Sequence, residues 1–277
     1  MRPANARFLV VLAAFFFSTG GAAVKATALG GWQIAGFRSL IAAAMLVVVL
    51  PSSRRRWNLG TLWVALCYAL TLVLYVCANR LTTATNAVFL QYTAPLYVLL
   101  LSPWLLRERI RPREYVFMAA LAVGMGSFFL GAEAPVETAP SPLAGNLVAA
   151  LTGLTWGLTL LGLRRLEGED RAGAPAAVLA GNLLAFLICA PFALPLAASR
   201  PQDWIAVVYL GVVQIALAYV LLTRALRHVR ALEVSLLLLL ELLGSPLWAF
   251  LLHGEVPGPW ALGGCAVILT ATLFWTR

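Results

Sequence analysis

Eight polar or aromatic side chains standing inside apolar runs are the residues of this 277-residue chain that could do chemistry. Glu241 follows five consecutive leucines, Leu236 to Leu240, and is the one acid deep within such a run. A lone carboxylate in that setting is neutral or paired. It could bind an amine, carry a proton, or brace a bend through a hydrogen bond. Arg38 interrupts another run; it could attract a carboxylate or brace its neighbours. Tyr75, Tyr92 and Trp156 offer aromatic faces for apolar contact and for cation–π attraction to an amino group, or else serve as ordinary packing. Gln91, Thr155 and Gln214 add uncharged hydrogen-bonding groups. Each polar group costs free energy in an apolar medium, so such residues turn inward toward one another or toward a bound molecule.

Other chemistries lack their residues. There is no GxxxxGK[ST] loop, and the single lysine is Lys25, so no phosphate cradle is expected. No TVGYG-like filter or ring of acids suggests an ion channel. His228 and His253 fall in separate breaks without a ligand cluster, so no metal is expected. Cys67, Cys77, Cys189 and Cys265 lie in apolar stretches without a CxxC pair and read as small buried hydrophobes. No cluster of His, Asp or Ser gathers near one interface, so neither catalytic residues nor a cofactor is expected, and the chain does not read as an enzyme.

The elements that must carry these residues follow from composition. Hydrophobic residues make up 62% of the chain and charged ones only 11%. A soluble domain carries about 25% charged residues to cover its core. This chain therefore needs lipid as its solvent, and a spanning helix takes roughly 20 apolar residues. Ten such runs are legible, at 8–28, 32–50, 59–79, 84–106, 114–131, 143–162, 175–198, 202–223, 231–252 and 257–275. Continuous apolar runs, without the alternation of barrel strands, make them helices. The first run is longer than a signal-peptide core and is expected to stay as an uncleaved helix.

The net charge of +9 reads as membrane topology, not as a nucleic-acid footprint. Sixteen basic residues, including Arg54–Arg56 and Arg107, Arg109, Arg111 and Arg113, fall in the loops of one side. The other side has Lys25, Arg80 and Arg200. The positive-inside rule then places both termini in the cytoplasm.

The chain also repeats. Trp63 and Tyr68 open the third helix, and Trp204 and Tyr209 open the eighth with the same spacing. Ser18-Thr19-Gly20 in the first helix answers Thr155-Trp156-Gly157 in the sixth. Leu105-Leu106-Arg107-Glu108 answers Leu251-Leu252-His253-Gly254-Glu255. The unit is five helices, residues 1–139 and 140–277. Five is odd, so the second copy enters the membrane inverted, a recurrent transporter design. Gly153 and Gly157 have GxxxG spacing for close helix approach, while Gly20, Gly21, Pro95, Gly244 and Pro246 could bend the first, fourth and ninth helices.

With the five-plus-five count, Phe37-Arg38, Pro95, Trp156-Gly157 and the Glu108 and Glu255 turns, the chain resembles the drug/metabolite transporter superfamily, in particular its EamA-type ten-helix carriers. It looks most like the YddG-type exporters of aromatic and other amino acids in bacterial inner membranes. The Glu-Pro that such proteins often carry in the ninth helix is here Glu241-Leu242, with proline at Pro246. The resemblance implies an all-α integral membrane protein with two inverted five-helix repeats around a central cavity. The first, third, fourth, sixth, eighth and ninth helices would line that cavity; the fifth and tenth would be peripheral. It implies alternating-access export of an amino acid or similar metabolite, with the bilayer and a small-molecule substrate as partners and a functional monomer. Within the same fold, a cationic drug or another metabolite is the alternative cargo. A non-transporting membrane scaffold is the alternative of another class.

Overall fold

A computed structural model describes residues 3–54, 57–105, 110–130, 134–169, 173–194, 199–226 and 231–275. Glu108, His228 and many of the loop arginines counted above lie outside the described residues. Among the described residues there is no strand, and the helices order into ten spans. Span 1 is α1 (Pro3–Ser18) and α2 (Gly20–Lys25); span 2 is α3 (Gly31–Val49); span 3 is α4 (Leu59–Leu81). Span 4 is α5 (Ala84–Gln91) and α6 (Ala94–Leu105), and span 5 is α7 (Pro112–Leu130). Span 6 is α8 (Pro142–Glu169) and span 7 is α9 (Gly173–Cys189). Span 8 comprises α10 (Pro201–Tyr209), a π-helical segment (Leu210–Leu217) and α11 (Ala218–Leu226). Spans 9 and 10 are α12 (Ala231–His253) and α13 (Pro259–Trp275). Eight spans are long and apolar enough to cross a membrane, and two shorter apolar helices, Leu240–His253 and Pro259–Phe274, complete the ten.

The punctuation of these helices is chemical. Spans 1, 5, 6, 8 and 10 each begin on a proline, whose fixed φ and missing N–H suit the first helical position. Asn58 caps α4, its Oδ1 accepting from the Thr61 N–H at 2.7 Å. Span 4 breaks at Tyr92–Thr93 because Pro95 cannot donate to the Gln91 carbonyl four residues back. Span 1 breaks at Thr19. Span 9 behaves otherwise: α12 runs uninterrupted through Pro246, and Gly244 serves packing, since a Cβ there would fall 2.6 Å from Ser18 Oγ.

The strongest contacts come in matched sets. Span 1 packs on span 8 as span 6 packs on span 3. Span 1 meets span 9 as span 6 meets span 4, and span 2 meets span 8 as span 7 meets span 3. Spans 2 and 7 pair directly, as do spans 5 and 10. That is the pattern of two interlocked five-helix halves related by a pseudo-two-fold axis. The repeat motifs occupy matching places: Thr19 meets Tyr209 across spans 1 and 8, and Trp156 meets Tyr68 across spans 6 and 3.

Apolar side chains also face outward in stripes, as lipid solvation requires. Val116, Val123 and Leu130 expose one face of α7, and Leu240, Leu243, Leu247 and Phe250 one face of α12. In lipid, helices associate by close packing and polar contacts. The glycine pair of α8 shows this. A Cβ at Gly153 would lie 2.8 Å from the Leu90 carbonyl oxygen, and one at Gly157 would lie 3.1 Å from that of Ala94. Gly153→Leu is therefore expected to lower stability by about 1–3 kcal/mol through overpacking against the span 4 break. Unfolding of the purified protein in detergent measures it; an unchanged midpoint would show that this crossing has slack.

Candidate functional site

The bundle has two ends, and alternate loops must share one of them. Lys25, Thr82, Thr138, His253 and Glu255 meet at one end, as ten crossings demand. The sequence reading places Lys25 in a break on the less basic side, with no partner named. The structure supplies one: Lys25 Nζ pairs with Glu255 Oε1 at 2.6 Å, with side-chain exposures of 3% and 2%. Gly254, at φ 66°, is the cause. It ends α12 in the left-handed region, where Glu255 N–H reaches back to the Ala249 carbonyl, and so turns Glu255 inward. Glu255 Oε2 also accepts the Ala84 N–H at 2.9 Å, at the positive end of α5. Lys25 further donates to the Thr82 carbonyl at 2.8 Å and to that of Thr138. A polar cavity of about 490 Å³ opens beside this pair, lined in part by Asn79, Arg80, Glu137 and His253. At the other end a more apolar cavity of about 710 Å³ lies against Trp63, Leu105, Leu158 and Arg165.

The eight residues singled out in the sequence lie between these ends, Tyr75 and Arg38 among those nearest the Lys25 end. At ~1.5 Å per residue they sit roughly 9 to 21 Å below the Lys25 end. Arg38 is 1% exposed. Its Nη2 donates to the Leu72 carbonyl at 2.9 Å and its Nη1 to Gln214 Oε1 at 3.4 Å. Its guanidinium carbon lies 5.9 Å from the Tyr75 ring centroid. Glu241, also buried, accepts from the Tyr92 hydroxyl at 2.6 Å. Arg38, Gln214 and Tyr75 thus form one group and Tyr92 with Glu241 a second, and Arg38 and Glu241 both act electrostatically on Tyr75.

Trp156 joins them through other rings. Its centroid is 6.4 Å from that of Tyr68, which stands 5.9 Å from Tyr219; Tyr219 meets Phe17 at 5.6 Å and is within electrostatic reach of Glu241. Thr155 accepts a hydrogen bond from Thr71 at 2.9 Å, tying span 6 to span 3. Gln91 is not brought to the others by any such contact, and its buried Oε1 has no hydrogen-bond partner among the described residues.

Sequence reasoning missed several members. Tyr68 stood out only as a repeat marker, and its 190-residue-distant counterpart contact, Thr19 to Tyr209 at 2.8 Å, had no local signal. Asn146 Oδ1 accepts from the Thr82 hydroxyl at 2.8 Å and from Asn86 Nδ2 at 3.1 Å, a structural knot that fastens span 6 to the turn between spans 3 and 4. Trp63 is exposed, as an interface anchor should be, whereas Trp204 packs on Phe37 at 5.1 Å and donates to Ser199 Oγ.

Ten apolar spans in two interlocked halves, with a polar and aromatic layer between the ends, define a multi-pass membrane protein of the carrier class. The chain belongs to the EamA-like transporter family, which matches residues 5–130 and 143–277. It is 28% identical over 282 residues to the pseudopaline exporter CntI of Pseudomonas aeruginosa, covering 97% of this chain and 95% of that one. It is 30% identical over 149 residues to the aromatic amino acid exporter YddG of Ancylobacter novellus, covering 52% of this chain and 50% of that one. A solved crystal structure with 22% identity superposes with a TM-score of 0.62 over 97% of this chain and 95% of its own, a likeness of fold.

Proposed function

We propose that this transporter exports amino acids, aromatic ones included, or similar small metabolites across a bacterial inner membrane, with both termini in the cytoplasm. The observation that carries the reading is the juxtaposition of the Trp156–Tyr68–Tyr219 rings with Arg38 and Glu241 in the middle layer. Rings suit an apolar side chain, and the two ionisable groups suit the charges of an amino acid. The relative named for aromatic amino acid export supports it. Residues 1–139 and 140–277 act as the two halves, rocking about the layer between them in a monomer. The Lys25–Glu255 pair ties span 1 and the start of span 4 to the turn after span 9 at its own end. Export of another metabolite through the same fold is the second reading, favoured by the pseudopaline exporter that matches nearly the whole chain.

Counterflow of a labelled amino-acid panel into proteoliposomes tests this. Accumulation of at least one aromatic amino acid is expected, and no accumulation of any member of the panel would refute it. Trp156→Ala should lower that flux roughly tenfold, the scale of one lost aromatic contact. Wild-type flux in a folded Trp156→Ala protein would remove Trp156 from the substrate's path.

A further inference from the structure

We propose that Arg38 is the group that holds the substrate's carboxylate, and so sets a requirement for that carboxylate; the proposal rests on the amino-acid reading above. A guanidinium stays charged in proteins, and burying it is costly unless an anion and a full set of hydrogen bonds compensate. Arg38 has neither. It is 1% exposed, and no carboxylate pairs with it among the described residues. Its Nε has no hydrogen-bond partner, and its contact with Gln214 is long at 3.4 Å. The remaining neighbours are neutral: the Leu72 carbonyl and the Tyr75 ring. The protein thus holds a cation with unused donors at a depth where an anion is wanted.

The surroundings are built for this group. Gln214 lies within the π-helical segment of span 8, and such segments occur often at functional sites. Gly211 lets that segment press against α3, since a Cβ there would lie 2.7 Å from the Arg38 carbonyl oxygen. Gly20, just past the break in span 1, does the same on the far side of Gln214: a Cβ there would lie 2.8 Å from Gln214 Nε2. Two glycines therefore hold Gln214 against the guanidinium. An arriving carboxylate would accept from the free Nε–H and from Nη1, displacing or joining the Gln214 oxygen. Charge-assisted hydrogen bonds of this type are about twice as strong as neutral ones. A brace that merely fastened spans 2, 3 and 8 would need none of these unused donors.

The test compares three probes on the purified protein: phenylalanine, phenylalanine amide, which lacks the carboxylate, and N-acetylphenylalanine, which keeps it. Half-saturating concentrations are read from thermal stabilisation. Wild type should bind phenylalanine at least roughly tenfold more tightly than its amide, the smaller end of what a hydrogen bond to a charged group contributes. Arg38→Gln should abolish that preference, and Arg38→Lys should retain part of it. A purely structural Arg38 would change stability in these variants without changing the ratio between acid and amide. Equal binding of phenylalanine and its amide by wild type would overturn the role of Arg38 while leaving the amino-acid reading standing. Stabilisation by none of the three probes would overturn both. Since the wild-type comparison needs no substitution, misfolding of Arg38→Gln does not protect the proposal.

Discussion

Glu255→Ala should destabilise the protein by about 3–5 kcal/mol, the cost of breaking a buried ion pair from one side. The substitution leaves the Lys25 ammonium, whose side chain is 3% exposed, without its counter-charge, keeping the carbonyls of Thr82 and Thr138 as hydrogen-bond partners among the described residues. It also strips the acceptor from the Ala84 N–H at the start of α5. The loss should be asymmetric. Lys25→Met leaves the carboxylate with the Ala84 N–H and the positive end of α5, so it should cost less. The double variant Lys25→Met with Glu255→Gln should be more stable than Glu255→Ala, because no charge remains buried and the glutamine oxygen can still accept from Ala84. Unfolding of the four proteins in detergent gives the comparison. A Glu255→Ala protein within about 1 kcal/mol of wild type would show that the pair is solvated like a surface bridge.

That pair also marks where reading the sequence stops. Its partners are 230 residues apart, and nothing local to Lys25 announces Glu255. Local signals were legible: the Pro95 bend, the glycine pair of α8 and the Trp–Tyr markers of the repeat all act through their own backbone or their own helix face. The π-helical segment was not, because Leu210–Leu217 has the composition of any apolar helix. Packing against α3 through Gly211 accompanies the wider turn. Pro246 does not end the helix: α12 is continuous through it, while Gly244 packs against Ser18. For the site, residue type and depth were enough to pick out Arg38, Tyr75, Tyr92, Trp156, Gln214 and Glu241. Their pairing was not legible, since Tyr92 and Glu241 meet only when spans 4 and 9 cross.

Tyr92→Phe, which removes a single oxygen, should lower transport by roughly tenfold to a hundredfold. Tyr92 stands at the break that Pro95 imposes on span 4, and Glu241 stands in span 9, the matching span of the other half. Their 2.6 Å hydrogen bond therefore joins the two halves at equivalent places. A hydrogen bond to a charged group contributes about 1.5–3 kcal/mol, and each 1.4 kcal/mol is a factor of ten in population. If the halves rock as proposed and the bond is made in one state and not the other, its loss shifts their balance by that factor. Glu241 accepts no other hydrogen bond among the described residues, which makes the two side chains one unit. Glu241→Gln should accordingly lower transport too, and adding it to Tyr92→Phe should cost far less than the product of the two effects. Tyr92→Ala, which also deletes the ring, should fall below Tyr92→Phe. Initial counterflow rates, normalised to folded protein in the vesicles, measure all four variants. Wild-type flux in Tyr92→Phe would mean that the bond braces the helices and takes no part in their movement.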